Sequence, residues 1–254
     1  MATDSSGYKW GALVFDKAKT SFGDVWDSAD HRPIHLKKTD ALINALTSLK
    51  GKIENYRVDA YVDNKPLIDS WNNGGGRDTQ LNDLLKKLLE ITQLYNLDLK
   101  LHFLPSEHNP ADGESRKLSA QDSQLSSEKW SILEHRYGPH SVDLMALDSN
   151  SIKDRCGNKL RHFTLYPSPL SSGVNMFSQD LYGEVNPYVF PPFHLISSVL
   201  KYFESQKIDR CTMIVPDMQP TPVWWPKLRS NMESYFVIGE IGEVDVIRKP
   251  SKTF

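Results

Sequence analysis

The sequence predicts an α/β fold in which helices flank a mixed sheet, followed by a second, smaller α/β unit. Two patterns predict it: short segments in which apolar and polar residues alternate, and longer segments with apolar residues at helical spacing. The chain has 254 residues, of which 39% are hydrophobic, and a net charge of −2. The near-neutral charge excludes a global basic field, so any contact with nucleic acid has to be local.

The first strand-like and helix-like segments follow one another closely. Residues 10–15 form a short apolar run that is typical of a buried strand. Only three residues precede Asp4, so we expect a first strand that is shortened relative to a complete domain. Apolar residues at helical spacing predict a helix over residues 38–50, which a glycine ends. Residues 58–62 alternate as in a half-buried strand, which places Asp63 at the strand end.

Three more segments complete the first half of the chain. Pro66 opens a short helix, which the glycine-rich residues 72–76 end. Residues 81–95 carry the clearest amphipathic helix pattern, and residues 97–103 alternate as in a half-buried strand. The predicted order is therefore strand, helix, strand, helix, helix, strand.

A change in composition predicts the domain boundaries. Residues 118–129 are rich in serine, glutamine and charged residues, so we interpret them as a linker. It joins an α/β domain over residues 1–117 to a smaller one over residues 130–254. In the second domain we expect strands at residues 142–147, 212–215 and 235–238, and a helix at residues 195–203.

Cysteine content and hydropathy indicate the cellular setting. Cys156 and Cys211 are too few for a disulfide framework, and their spacing is not that of a zinc site. The first residues lack the charged and apolar regions of a signal peptide, and no apolar run is long enough to span a bilayer. We therefore expect an intracellular protein, cytoplasmic or nuclear, without membrane contact.

Three aspartates stand in separate short motifs. Asp4 lies in Thr-Asp-Ser-Ser-Gly, Asp63 in Ala-Tyr-Val-Asp-Asn, and Asp112 in His-Asn-Pro-Ala-Asp-Gly-Glu-Ser-Arg. If the fold brings them together, the three carboxylates make an all-oxygen site for hard divalent cations, as used in phosphodiester hydrolysis. For each aspartate taken alone, the alternative is a helix cap, a turn residue or a solvated surface group.

Four motifs in order give the first domain a family resemblance. They are residues 3–7 with Trp10-Gly11, residues 34–38 leading into Ala41-Leu42, residues 62–64, and residues 108–116. Residues 4–116 thereby resemble the RNase H domain of retroelements, in particular that of DIRS- and Ngaro-type tyrosine-recombinase retrotransposons.

The resemblance implies an RNase H-like fold that hydrolyses the RNA strand of an RNA–DNA hybrid. The family uses two Mg²⁺ ions about 3.5–4 Å apart, or Mn²⁺ in their place. By position, Asp4 and Asp63 resemble the central metal ligands, and Asp112 resembles the ligand near the scissile phosphate. The implied partners are nucleic acid and other retroelement polyprotein domains, namely reverse transcriptase and tyrosine recombinase.

One position departs from the family pattern. The family carries a catalytic glutamate just ahead of the Ala-Leu pair on the first helix, and Lys38 stands there in this chain. An ammonium group repels Mg²⁺: at ~4 Å and an effective dielectric of ~20, each pair of unit charges costs about 4 kcal/mol. Asp40 is the nearest acidic substitute, but two residues along a helix rotate it by about 200°. We therefore expect impaired or absent cleavage.

Further residues are candidates for contacts with the substrate. By resemblance, His108 is a candidate for a mobile loop histidine that assists product release; the alternative is an exposed loop histidine. Asn64, Asn73 and Arg77 follow Asp63 in a polar segment with three glycines, which a nucleic-acid backbone can approach closely. The alternative for this segment is a helix-to-helix loop.

The second domain resembles a degenerate phage-type adenine-N6 methyltransferase. The matching segments are residues 142–146, Phe-Pro-Pro-Phe at residues 190–193, and residues 214–216 with 224–226. In that family the residue before the two prolines hydrogen-bonds the target amine, which Phe190 cannot do. No glycine-rich cofactor loop is visible either, so the alternative is a packing or nucleic-acid-docking role.

Three functions are consistent with these patterns. The first is Mg²⁺-dependent hydrolysis of RNA in RNA–DNA hybrids, impaired by Lys38. The second is a non-catalytic nucleic-acid-binding or assembly module that keeps the fold. The third is a remnant adenine-N6 DNA methyltransferase. Mg²⁺-dependent cleavage separates the first from the second, and stabilisation by S-adenosylmethionine would support the third.

Overall fold

The chain forms two compact units. The computed structural model describes residues 1–16, 19–119, 122–240 and 242–250. Unit 1 comprises residues 1–118 with 166–170, and unit 2 comprises the described residues of 119–165 and 171–250. The segment predicted as a linker, residues 118–129, contains a short strand and the start of a helix. The domain boundaries inferred from composition stay predictions.

Unit 1 is built on a five-stranded mixed sheet. Its strands are β1 (Ala2–Ser5), β2 (Lys9–Phe15), β3 (Lys19–Val25), β4 (Arg57–Val62) and β5 (Asp98–Phe103), and its helices are α1 (Ile34–Ser48), α2 (Lys65–Asn72), α3 (Thr79–Leu94) and α4 (Asp112–Arg116). In space the strands follow the order β3, β2, β1, β4, β5. β2 is antiparallel to both of its neighbours, β3 and β1, whereas β4 is parallel to both β1 and β5.

This strand order confirms the predicted fold class. The sheet has an antiparallel hairpin half and a parallel half joined by helical crossovers, and helices flank it. It is the RNase H-like arrangement. Because β1 and β4 are parallel neighbours at the centre of the sheet, residues at their carboxyl ends lie at one edge.

The core of unit 1 lies between the sheet and helices α1 and α3. Leu42 and Leu46 of α1 pack in one buried cluster with Leu88 of α3 and with β4 residues. The small residues Ala41 and Ala45 face the aromatic cluster of β2 and β3 instead. Because alanine side chains are short, α1 lies close over the sheet. Burying each large aliphatic side chain contributes about 1.5–3 kcal/mol, and the packing fixes the direction in which α1 presents its side chains.

Besides helix α4, which was not predicted, the elements of unit 1 differ from the sequence expectation at two places. Strand β3 was not predicted because only Phe22 and Asp24 are buried in it, so its pattern lacks the apolar alternation of a strand. Helix α1 begins at Ile34, directly after Pro33, which is four residues earlier than predicted. The short strand β1 is formed and pairs on both sides, with β2 and with β4.

Unit 2 contains short strands in a mostly parallel arrangement. Its elements are β6 (Gln124–Leu125), α5 (Ser127–Tyr137), β7 (Phe163–Thr164), β8 (Gly173–Val174), β9 (Tyr188–Val189), α6 (Ile196–Gln206), β10 (Thr212–Met213), α7 (Trp225–Asn231) and β11 (Ile247–Arg248). β7 pairs with β8 and β9 with β10, both in parallel, and Asp143 bridges to His162 and Tyr188 in parallel. The parallel order is thus β8, β7, the Asp143 segment, β9, β10.

The strands of unit 2 are shorter than the sequence predicts. The strand expected at residues 142–147 is reduced to the bridge at Asp143, and the one expected at 212–215 covers Thr212–Met213. Residues 235–238 do not form a strand; Phe236 and Ile238 pack beside the buried cluster around Trp130. The apolar pattern of these residues therefore reflects core packing without a partner strand.

Cysteines and hydropathy add two findings. Cys156 and Cys211 are both free thiols, and burial raises the pKa of Cys211 to about 11. Within the described ranges, no helix has the length and apolarity required to cross a bilayer.

Candidate active site

Two of the three aspartates lie on the parallel strands at the centre of the sheet. Asp4 is in β1, where it pairs opposite Gly11, and its side chain is 1% exposed. Asp63 directly follows the last residue of β4, and its side chain is 6% exposed. Both carboxylates are therefore almost fully removed from water at the same edge of the sheet.

Helix α4 brings Asp112 to this edge. It packs directly on β2, because a Cβ built on Gly11 would lie 2.7 Å from the backbone nitrogen of Ser115. Asn109 anchors the preceding loop: its Nδ2 donates to the Thr3 carbonyl at 2.9 Å, and its Oδ1 accepts from the Ala111 nitrogen at 3.0 Å. The glycine in β2 and the asparagine in the loop thus position the first turn of α4.

Ser115 links Asp4 to the helix that carries Asp112. Its Oγ lies 3.1 Å from Asp4 Oδ2 and 2.9 Å from the Asp112 carbonyl oxygen. The Asp112 side chain accepts from Arg116, with distances of 2.9 Å to Nε and 2.8 Å to the terminal nitrogen. Asp112 is therefore adjacent to Asp4 and already carries a cationic partner on its solvent side.

Lys38 reaches into the cluster from the second turn of α1. Its Nζ forms a short hydrogen bond to Asp63 Oδ2 and lies 3.3 Å from Asp4 Oδ1. The Lys38 side chain is 17% exposed. One ammonium group therefore contacts both of the buried carboxylates.

Burial and hydrogen bonding shift the pKa values of two of the aspartates in opposite directions. Burial raises the pKa of Asp4; the Lys38 ammonium opposes that shift, and the Asp63 carboxylate adds to it. The pKa of Asp112 is lowered, mainly by the hydrogen bond from Arg116. Asp4 is thus the carboxylate that most needs a cation beside it, and Lys38 supplies one.

The arrangement does not fit a pair of divalent metal ions. In the described part of the chain, no group of three or more His, Cys, Asp or Glu side chains is arranged to hold a metal. Asp4 Oδ1 and Asp63 Oδ1 are buried and accept no hydrogen bond from described residues. Oxygens of that kind suit a cation, but the cation that lies beside them is Lys38.

The neighbours of Lys38 on α1 point elsewhere. Asp40 Oδ2 accepts from Arg32 at 2.6 Å, so this carboxylate does not join the cluster as a substitute for the missing glutamate. Lys37 Nζ donates to the carbonyls of Gly7 and Asp30 at 2.6 and 2.7 Å. Of these neighbouring side chains, Lys38 is the one that enters the site.

The remaining predicted site residues lie at different distances from the cluster. Asn64 is 1% exposed; its Nδ2 donates to the His35 carbonyl and to Thr39 Oγ1, so both of its amide hydrogens are engaged within unit 1. Asn73 and Arg77 are exposed at the far end of α2, about 12 Å along the helix from Asp63. His108 is exposed in a turn ahead of Asp112. The roles assigned to these residues stay predictions.

Two positioning groups were not assigned a role from the sequence. Ser115 and Asn109 belong to the motif around Asp112, but the sequence does not show that they bond to β1. A small residue in β2 opposite Asp4 was the available signal for the close approach of α4.

In unit 2 the Phe-Pro-Pro-Phe segment directly follows β9. β9 is the neighbour of the Asp143 segment in the parallel order. Asp143 is fully buried; its carboxylate accepts from the nitrogens of Ile152 at 3.3 Å and Met145 at 3.4 Å, and burial raises its pKa to about 6. Its oxygens therefore shape the loop that follows it.

Comparisons with known proteins include a structural likeness to a ribonuclease. No protein-family model and no curated protein sequence matches the chain. Among solved structures, RNase H1 from the halophilic archaeon Halobacterium salinarum NRC-1 is similar, with 15% sequence identity and a TM-score of 0.37. The match covers 44% of this chain and 89% of that protein. Strand order and pairing direction, rather than this likeness, define unit 1 as RNase H-like.

Proposed function

We propose that unit 1 is an RNase H-like module that binds nucleic acid, an RNA–DNA hybrid in the first place, without cleaving it efficiently. The observation that carries the proposal is the contact of the Lys38 ammonium with both Asp4 and Asp63. These are the two carboxylates that would have to ligate both metal ions in two-metal hydrolysis.

Electrostatics supports the loss of hydrolysis. A metal ion near an ammonium at ~4 Å meets a repulsion of about 4 kcal/mol for each of its unit charges, at an effective dielectric of ~20. Swinging Lys38 away would relieve this repulsion, but it would break the contacts of its ammonium group with the buried Asp4 and Asp63. Either way, metal binding is weakened relative to a site with a glutamate at this position.

Binding of nucleic acid does not require metal-dependent hydrolysis. Duplexes with A-like geometry are recognised through backbone and 2′-hydroxyl contacts from amide, lysine and arginine groups. Asn73 and Arg77 are exposed beside the glycines at residues 74–76, where a backbone has close access. A retroelement origin fits this function, with reverse transcriptase and tyrosine recombinase as neighbouring domains of a polyprotein.

A hybrid-cleavage assay on the full chain tests the proposal. We expect the wild type to bind a labelled RNA–DNA hybrid in EDTA and to cleave it little when Mg²⁺ is added. Lys38→Glu should gain Mg²⁺-dependent cleavage, and Lys38→Glu combined with Asp63→Asn should lose it again. Robust cleavage by the wild type that Asp63→Asn abolishes would refute the proposal, as would the absence of hybrid binding.

A second candidate function concerns unit 2, for which we propose a remnant adenine-N6 methyltransferase. It is supported by the parallel strand order and by the position of Phe-Pro-Pro-Phe at the carboxyl end of β9, the end at which parallel sheets bind ligands. Phe190 lacks the acceptor for the target amine, which argues against active methylation. Thermal stabilisation of the chain by S-adenosylmethionine would support a retained cofactor site, and no shift at millimolar ligand would exclude it.

A further inference from the structure

Two buried oxygens in the cluster have no hydrogen-bond donor among the described residues, although one of them, Asp4 Oδ1, forms an ion pair with Lys38 at 3.3 Å. Asp4 Oδ1 and Asp63 Oδ1 accept no hydrogen bond from the described residues, although both carboxylates are more than nine-tenths buried. A buried acceptor without a donor is unfavourable, and a carboxylate oxygen in that state is a ligand for a hard cation.

The charges of the cluster divide into two groups. Arg116 pairs with Asp112 at the exposed side of α4, so its charge offsets that of the outer carboxylate. Among the described residues, Lys38 is the cation in direct contact with the buried pair, Asp4 and Asp63. With Lys38 this buried group carries one net negative charge, and without Lys38 it carries two, which is the charge that one divalent ion neutralises.

We propose that the Lys38 ammonium is a tethered cation that replaces a divalent ion, and that removing its charge uncovers a divalent-cation site at Asp4 and Asp63. The proposal shares with the proposed function the contact of Lys38 with these carboxylates, but it concerns cation binding and folding. In the wild type the fold of unit 1 is therefore independent of Mg²⁺.

The position of the ammonium explains why the two cations exclude each other. Nζ contacts Asp63 Oδ2 and Asp4 Oδ1. The other oxygen of Asp63, Oδ1, belongs to the same buried carboxylate and is therefore also close to the ammonium group. A metal ion that used these oxygens would lie within a few ångströms of Nζ. The side chain of Lys38 is too enclosed, at 17% exposed, to leave without opening the cluster to water.

Thermal unfolding of the full chain in EDTA, Mg²⁺, Ca²⁺ or Mn²⁺ tests the proposal. We expect the melting temperature of the wild type to be the same in EDTA and in each metal. Lys38→Met, of similar length but uncharged, should melt earlier than the wild type in EDTA and gain several degrees with Mg²⁺ or Mn²⁺, because the ion binds the folded state. Lys86→Met on the exposed side of α3 is the matched control, and it should behave as the wild type.

Two further variants test which side chains form the metal site that Lys38→Met is expected to gain. Lys38→Met combined with Asp63→Asn should lose the metal-dependent stabilisation, because one of the two carboxylates is gone. Lys38→Gln keeps a hydrogen-bond donor and serves if Lys38→Met does not fold in EDTA; it too should be stabilised by metal.

Several outcomes would overturn the inference. One is a wild type that is stabilised by Mg²⁺ as strongly as Lys38→Met. Another is a folded Lys38→Gln that no divalent ion stabilises. These results are independent of hybrid binding, so a wild type that binds no hybrid would defeat the proposed function and leave the tethered-cation inference standing.

Discussion

Lys38 extends from the second turn of α1 to carboxylates that are almost completely buried. Such a buried ion pair adds little to the free energy of unfolding relative to a pair of apolar side chains, because charges are costly to take out of water. Removal of one partner is different, since the remaining charge stays buried and alone. The stability of unit 1 should therefore depend strongly on this one ammonium group.

Truncation of Lys38 tests this dependence. We expect Lys38→Ala to lower the free energy of unfolding by about 3–5 kcal/mol in EDTA, the usual cost of leaving a buried charge unpaired. Lys86→Ala, whose side chain is 74% exposed, should change it by less than about 0.5 kcal/mol. Urea unfolding, with hydrogen exchange at the amides of α1 as the readout, measures the free energy of unfolding of both variants. Equal stability of the two variants would contradict the expectation.

Asp40 provides a second test at the same scale. Its carboxylate pairs with Arg32 and not with the cluster. In the Lys38→Met background, Asp40→Asn should therefore leave the stabilisation by Mg²⁺ unchanged, whereas Asp63→Asn should abolish it. Melting temperatures with and without Mg²⁺ give the comparison, and a loss of the metal effect in Asp40→Asn would assign Asp40 to the site.

The motifs around the three aspartates carry enough information to single out these residues and Lys38, but not their geometry. The Ala41-Leu42 pair places Lys38 at the position of the family glutamate, yet the direction of its side chain depends on how Ala41 and Ala45 pack against the sheet. The bond from Ser115 to Asp4 joins residues 111 positions apart, and no local pattern encodes such a contact.

At the scale of elements, the packing of α4 on β2 requires a residue without a side chain at Gly11. We expect Gly11→Ala to destabilise unit 1 by about 1–3 kcal/mol, because the new Cβ would meet the backbone of α4, which cannot move aside locally. Gly113→Ala within α4 is the matched control; its Cβ meets nothing within 4 Å. It should be neutral or stabilising by up to about 1 kcal/mol.

Chemical denaturation of the two glycine variants measures the difference. Gly11→Ala should also weaken protection of the α4 amides against hydrogen exchange, because the helix is displaced from the sheet. A Gly11→Ala variant as stable as Gly113→Ala would show that α4 is free to move away from β2.

Sequence patterns predicted the elements that have one apolar face, but they missed β3, whose buried residues include an aspartate. α1, α3, β4 and β5 follow clear periodic patterns, and the structure has them within a few residues of the expected bounds. β3 buries an aspartate and a single phenylalanine, so tertiary pairing with β2 rather than its own pattern forms it. The two-residue strands of unit 2 are too short for any periodicity to reveal.

At the scale of the whole molecule, the stability of unit 2 should depend on pH through one buried carboxyl group. Burial raises the pKa of Asp143 in unit 2 to about 6. A carboxyl group with a raised folded-state pKa stabilises the fold below its unfolded pKa of about 3.9, and this stabilisation is lost as pH rises through about 6. We expect unit 2 to lose about 3 kcal/mol of stability between about pH 4 and pH 7 from this group.

Hydrogen exchange resolved by unit, corrected for intrinsic exchange rates, measures this loss. The protection of α5 and α6 amides should fall over that range, and Asp143→Asn, which cannot ionise, should flatten the profile. A wild-type profile that is already flat, or one that rises with pH and is unaltered in Asp143→Asn, would contradict the assignment.

In unit 1, Lys38 on α1 is directed at the buried carboxylates of Asp4 and Asp63. Lysine and glutamate codons differ by a single base at the first position. The present state is therefore one point substitution away from an all-acidic centre on an intact scaffold. Under the proposed function, silencing of that kind is mutationally reversible, and the gene retains a short evolutionary path back to strand scission.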